Sequence, residues 1–264
     1  VPMNETPKRG GRPPTGDPVI ERAFALLTTF DADHRAQPLA DLARRSGIPR
    51  SSALRLARTL VDVGALERLD DGRFVVGLHL LEIASLAPRG HGLRAVAMPF
   101  MEDLFHVTRQ HVLLAVREEN EALLVERLSA RDAGPVRYRV GGRLPLTSTG
   151  VSLVLLAHAP ADVQDAAIDG YRAGDGENDL HTPADLRRAL AEVRRGGYAY
   201  GRQRTPRAMS TVAAPIRASG EVVAALSVVA PSSGFEAAAC GIAVRAAARA
   251  VSRQLSEAHG PVTD

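Results

Sequence analysis

The sequence predicts an α+β chain in two parts, a small helical domain closed by a hairpin and a larger domain on an antiparallel sheet. Three observations carry that expectation. Apolar residues recur at helical spacing as far as Leu60, an Asp71-Gly72 turn then joins two short apolar runs, and from Val112 onward strand-like and helix-like stretches mix without strict βαβ alternation. At 264 residues the chain accommodates two ordinary domains.

Residues 1–18 are rich in proline and glycine around Lys8-Arg9-Gly10-Gly11-Arg12-Pro13-Pro14 and lack apolar periodicity, which predicts a flexible basic arm. Its Gly11-Arg12-Pro13 is flat enough to slide an arginine into a narrow A·T minor groove; a plain solubilising tail is the competing reading. Over residues 19–30, Ile20, Ala23, Phe24, Leu27 and Phe30 fall three and four apart, on one helical face. Two short helical patterns follow, 39–46 and 49–63. Leu39, Leu42 and Ala43 face one way in the first, and Ala53, Leu56, Ala57 and Leu60 in the second. Gly47 suits a left-handed helix end and Pro49 the opening of the next helix. Residues 65–76 then read as strand, Asp-Gly turn, strand. Three helices and a hairpin make a winged helix-turn-helix over 19–78.

A linker is expected over 79–92: a short helix to Ala87, then Pro88-Arg89-Gly90-His91-Gly92 as a hinge. The second domain, 93–264, opens with an amphipathic helix through Leu93, Ala97, Met101 and Leu104, where Pro99 marks either a kink or the true first turn. A hairpin is expected at 112–117 and 122–128, and a further strand at 136–140. Helices follow at 150–159 and 183–195, and strands at 198–202, 211–217 and 221–229. A closing helix carries Cys240, Val244, Ala247, Val251 and Leu255 on one face.

The charge pattern points to a partner. Of 33 basic residues, 32 are arginine, which grips phosphate with a planar fork, although a GC-rich coding sequence produces the same bias. Distribution decides: between Arg35 and Arg58 stand six arginines against Asp41 alone. In a helix-turn-helix the second helix enters the major groove by its N-terminal end. That end carries Arg50, Ser51 and Ser52, followed by Arg55 and Arg58; Arg44, Arg45 and the wing residue Arg73 complete the expected contacts to double-stranded DNA.

Other chemistries find little support. No GxSxG, GxGxxG or Walker loop occurs, and the eight histidines are scattered, with His106 and His111 on different helical faces. Cys240 reads as an inert thiol on an apolar helix face. No catalytic residue, metal or cofactor is called for. The longest apolar runs, such as residues 222–230, fall far short of the ~20 residues of a membrane span. With no leader pattern and one cysteine, the cytoplasm is the expected compartment.

The stretch LADLARRSGIPRSSALRLARTLVDVGALERLDDGRFVVG resembles the IclR family of bacterial transcriptional regulators, and the likeness continues through GGRLPLTSTGVSLVLLA, RRGGYAYGRQ and TVAAPIRASGEVVAALSVVAP. The resemblance implies a GAF-like effector-binding domain, a homodimer or dimer of dimers on a palindromic operator, and a ligand-responsive repressor. It also implies an effector pocket. Backbone amides near Thr149, Gly150 and Val151 would face a ligand carboxylate, as a helix N-terminus favours anions, with Thr211 and Ser227 as polar contacts. The chain departs from the family pattern where Gly201 replaces an acid, Thr211 a cysteine, Val229 a serine, and Ser152-Leu153 a glycine-lysine pair. These departures imply a roomier, less acidic pocket for a larger organic acid, with an aromatic one preferred. Arg202, Arg204 and Arg207 read as a solvated loop. Two rivals stay open: a C-terminal domain that only oligomerises, and a small-molecule enzyme or binding module with a protein-binding winged helix.

Overall fold

The computed structural model describes residues 18–131, 133–134, 138–172, 180–203 and 208–258. The basic arm, Arg204 and Arg207 lie outside them. The chain divides into two compact units, one up to Ile83 and one from Ala84.

The smaller unit runs α1 (Val19–Leu27), α2 (Leu39–Ser46), α3 (Arg50–Asp62), β1 (Leu66–Arg68) and β2 (Phe74–Val76), then enters α4 (Leu78–Ser85). Gly47 ends α2 in the left-handed region at φ 68°, a conformation without cost only for glycine, and this turns the chain into α3. Leu42, Ala53, Leu56, Ala57 and Leu60 bury into one small core, closed by Leu66 and Phe74 of the hairpin. Gln37 pairs with Phe74 through both backbone bonds, 2.9 and 2.8 Å, so the segment before α2 becomes a third short rung beside the wing. Gly72 takes φ 83° in the wing turn. Gly77 is tighter still: a Cβ there would collide with the Gly64 carbonyl oxygen, so glycine lets β2 close against the end of α3.

Helix α1 corrects the expected face. It ends at Leu27 and not at Phe30, and its buried residue is Leu26, while Ile20 and Phe24 remain 72% and 62% exposed. Leu26 lies about 100° from the face first inferred, and Ala23, Leu27 and Phe30 border both faces closely enough to pack with either.

In the larger unit the expected hinge is helical: Pro88–Gly92 forms one wide turn that runs into α5 (Leu93–Thr108). Pro99 lies inside α5, which begins six residues before it. Then come β3 (His111–Glu118), β4 (Glu121–Leu128), β5 (Arg143–Pro145), α6 (Gly150–Ala157), α7 (Ala161–Gly170), α8 (Pro183–Gly196), β6 (Ala199–Gln203), β7 (Met209–Ala218), β8 (Glu221–Pro231) and α9 (Ala237–Ala258). The strand expected at 136–140 falls partly outside the described residues, and its remainder, 138–140, is not a strand; β5 supplies the edge instead. Strand β5 and helix α7 were not anticipated.

Six antiparallel strands in the order β5-β4-β3-β8-β7-β6 carry helices on both faces. Period-two alternation divides the sheet between two cores. Leu113, Ala115, Ala213 and Ala225 face α6 and α8, whereas Leu114, Val212, Ile216 and Leu226 face α5 and α9. Every residue of α6 is buried, which explains why its sequence is apolar all round. Cys240, partly buried on α9, packs against the second core. Among the described residues, no helix is long and apolar enough to cross a membrane.

Candidate functional site

The outer face of α3 collects the expected basic residues. Its inner positions are consumed by Ala53, Leu56, Ala57 and Leu60, so Ser51, Arg55 and Arg58 must point the other way; they and Arg50 are exposed, and Ser52 is partly so. Among the described residues, Arg50, Arg55 and Arg58 have no ion pair. The remaining arginines are engaged. Arg44 meets Asp41 at 2.7 Å. Arg45 donates to Asp31 Oδ2 at 2.6 Å and to the Thr29 carbonyl at 3.2 Å, which ties α2 to the segment after α1. The Asp31 carboxyl, bonded first by His34, is held down at about 2. In the wing, Arg73 Nε and Nη2 both reach Asp71 Oδ2 at 2.7 Å, which lowers the Asp71 carboxyl and raises the Arg73 guanidinium. Sequence reasoning missed Arg68, whose guanidinium lies 5.9 Å from the centre of the Phe74 ring. Only the paired register of the wing brings those two residues together.

The second site is in the larger unit, where α6 meets the sheet. Thr149 caps the helix: its Oγ1 accepts from the Ser152 amide at 3.3 Å and bonds the Ser152 hydroxyl at 2.9 Å. The first amides of a helix have no carbonyl within it to reach, so those of Gly150 and Val151 remain to meet an anion. Gly150 lets the helix approach β7, because a Cβ there would stand 2.8 Å from Thr211 Cγ2. Gly201 on β6 closes on the same methyl from the other side, at 3.1 Å for its own added Cβ. Thr211 therefore stands between two backbones with no side chains.

One cavity gathers all seven residues expected for the ligand: Thr149, Gly150, Val151, Gly201, Thr211, Ser227 and Val229. It also gathers Leu113, Tyr138, Ser148, Leu153, Arg202, Met209 and Ser210, which were not on that list. Leu113 follows from its pairing with Ser227 in the β3–β8 ladder, a long-range register that no local pattern reveals. Arg202, expected in a solvated loop, is exposed yet lines the cavity; among the described residues it is the one charged side chain in the lining, and no carboxylate joins it. The free space is narrow, about 30 Å³. Ser227 is 1% exposed, and its hydroxyl has no hydrogen-bond partner among the described residues, an arrangement that disfavours an empty apolar neighbour and favours a polar one. Ser152 turns into the cap and is fully buried. Among the described residues, no group of three or more His, Cys, Asp or Glu is placed to hold a metal ion.

Comparison with known proteins covers both units. The family described as bacterial transcriptional regulator IclR C-terminal matches residues 87–256, and the IclR helix-turn-helix domain matches residues 19–70. Among solved structures, an IclR homolog complexed with 4-hydroxybenzoate from Microbacterium hydrocarbonoxydans is 36% identical, with 91% of this chain and 100% of that one covered at a TM-score of 0.85. Another IclR homolog, from Microbacterium sp. strain HM58-2, is 35% identical over 90% and 98% of the two chains, with a TM-score of 0.59. The glycerol operon regulatory protein of Streptomyces coelicolor is 30% identical over 148 residues, 56% of this chain and 58% of that protein. The HTH-type transcriptional repressor AllR of Escherichia coli is 26% identical over 157 residues, again 56% and 58%. The matched stretch thus spans less than two thirds of each curated relative. With both family regions present in order across most of its length, the chain belongs to the IclR family of bacterial transcriptional regulators.

Proposed function

We propose that this protein is a cytoplasmic, ligand-responsive transcriptional repressor and not an enzyme, binding a palindromic operator through α3 and released or retained by an organic acid. The observation that carries the reading is the pairing, in one chain, of an arginine face without ion pairs and a cavity at a helix N-terminus without a lining carboxylate, both among the described residues. Arg50, Arg55 and Arg58 supply guanine or phosphate contacts, with Ser51 and Ser52 beside them. Arg44, Arg45 and Arg73 already hold carboxylates and must exchange them to reach DNA; their role is to orient the α2–α3 turn and the wing.

In the cavity, the amides of Gly150 and Val151 receive the carboxylate, Thr149 keeps their helix end rigid, and Thr211 and Ser227 offer hydroxyls to the rest of the ligand. Gly201 and Val229 set its width. A similar protein was crystallised with 4-hydroxybenzoate, and an aromatic hydroxy acid suits this cavity's lining of one cation, several hydroxyls and apolar walls. Entry of a ring requires movement of exposed Arg202 and partly buried Tyr138, because the present free space is too small. Residues 79–92 serve as the linker that carries the response. A homodimer is favoured by the apolar residues left outside on the smaller unit, Ile20, Phe24, Leu78 and Leu81, each more than half exposed.

The test is a gel shift on DNA flanking the protein's own coding sequence, with competitor DNA and with 4-hydroxybenzoate added. A competitor-resistant band that changes with the acid is expected. Arg55→Ala should weaken operator binding by roughly 1–3 kcal/mol while random DNA is affected less. Binding that is sequence-blind throughout would refute the regulator reading; a band indifferent to every organic acid offered would reduce the larger unit to an oligomerisation platform.

A further inference from the structure

A second concentration of positive charge lies on the larger unit, away from the ligand cavity. Arg245, Arg249 and Arg253 repeat every four residues along α9, one per turn. Arg217, near the end of β7, stands against the same stretch, because its backbone N–H donates to Ser252 Oγ at 2.8 Å. The four arginines line one groove of about 430 Å³, and among the described residues no carboxylate lines it. Glu257, one turn beyond Arg253, and Glu221, across the β7–β8 hairpin, carry the nearest acids along these elements; neither reaches the groove lining.

Two of the four side chains are partly used by the fold. Arg245 lies 5.2 Å from the centre of the Tyr198 ring and donates to the Gly241 carbonyl at 3.2 Å; Arg217 donates to the Gly220 carbonyl at 3.0 Å. Arg249 and Arg253 are exposed and have no ion pair among the described residues. Among the described residues nothing pairs with them: of the other exposed residues on this stretch of α9, Ala246, Gln254 and Ser256 carry no charge, and Glu257, one turn beyond Arg253, forms no ion pair with it.

We infer that this groove binds the phosphodiester backbone of duplex DNA, a contact additional to that of α3 and resting on the reading of the chain as a DNA-binding protein. Guanidinium forks match phosphate oxygens, and a groove free of carboxylates concentrates a polyanion. From Arg245 to Arg253 the row rises about 12 Å, enough for roughly three phosphates of one strand at 3.4 Å each. An acidic amphipathic peptide fits less well, because Ala214 and Pro215 are the only apolar side chains in the lining and offer no pocket for an anchor.

The experiment uses the full chain and a random-sequence duplex, with affinity followed across a salt series. Arg249→Ala with Arg253→Ala should flatten the plot of log affinity against log salt by about two units, one for each lost phosphate contact. Arg249→Lys with Arg253→Lys should keep the wild-type slope. A variant with Arg50, Arg55 and Arg58 changed to Ala should retain a residual affinity for random duplex, which disappears when the α9 changes are added. Thermal melts report whether each variant is folded, and alanine is favourable on an exposed helix face. Wild-type slope and affinity in the α9 alanine variant would overturn the inference while leaving operator binding by α3 intact. Absence of any duplex binding by the wild-type protein at low salt would instead overturn the DNA reading and this inference together.

Discussion

Thr211 shows how much one position depends on its neighbours. Its methyl is held between the backbones of Gly150 and Gly201, so the cavity's width is set by two absent side chains. Gly201→Ala places a Cβ 3.1 Å from that methyl, a contact that strands β6 and β7 can relieve only by parting slightly. The expected result, by calorimetric titration with 4-hydroxybenzoate, is a loss of ligand affinity of about tenfold with little change in melting temperature. Elsewhere a single ring sets a pH response. His111 is 2% exposed; its Nε2 donates to the Ala133 carbonyl at 3.1 Å, so its Nδ1 accepts from the Ser129 hydroxyl at 2.9 Å. Burial, the largest cause, pushes its pKa below the ordinary 6.5, and burial does the same to His158. A depressed histidine favours the folded state fully above 6.5, and that stability is lost as pH falls from 6.5 toward the lowered value. Urea denaturation stepped from about pH 8 to about pH 5 should show this fall, and His111→Gln should remove part of it. Thr149, Thr211 and Ser227, which the structure gathers around one cavity, were named for it through the resemblance of their segments to the IclR family. Tyr138 and Leu113 were not, because they reach the cavity only through the fold.

At the level of elements, the wing depends on a contact between two glycines. Since a Cβ on Gly77 would strike the Gly64 carbonyl, Gly77→Ala must pull β2 from the end of α3, and a backbone oxygen cannot swing aside as a side chain can. The variant should lose about 2–3 kcal/mol of the smaller unit's stability and bind operator DNA more weakly, measured by urea midpoint and gel shift. The boundaries of α2 and the left-handed Gly47 could be read from the sequence, because capping is a local affair of two or three residues. Helix α1 could not be read so well: with apolar residues at Ile20, Phe24, Leu26, Leu27 and Phe30, two overlapping faces satisfy the same spacing, and only packing against α2 and α3 selects Leu26. Helix α7 escaped because Val163, Ala167 and Ile168 are its whole apolar face, and β5 because a three-residue edge strand carries no period to detect. Pro88–Gly92, expected as a hinge, is a wide helical turn, held by Arg89 donating to the Arg117 carbonyl and followed in α5 by Arg94 paired with Glu126.

The whole molecule has a core in each unit: Leu26, Leu42, Leu56 and Phe74 in one, and the two faces of the six-stranded sheet in the other. Cores that share no residues are expected to melt separately. Scanning calorimetry should resolve two transitions, and 4-hydroxybenzoate at about 100 times its dissociation constant should stabilise the larger unit alone by about 2.7 kcal/mol. A single transition shifted as a whole would show that the units are thermodynamically one. The α+β class and the order of the two parts were legible from periodicity, whereas the sheet order, which joins β3 to β8 across more than a hundred residues, was not. The larger unit also carries its own reporter. Cys240 is the chain's one thiol, and burial first, then Glu236, raises its pKa and keeps the reactive thiolate scarce. Partly exposed, it is alkylated slowly in the native protein, so a labelling rate that rises above that native baseline is a stopwatch for the loosening of α9. The smaller unit, which has no sulfhydryl, leaves no mark on the reading.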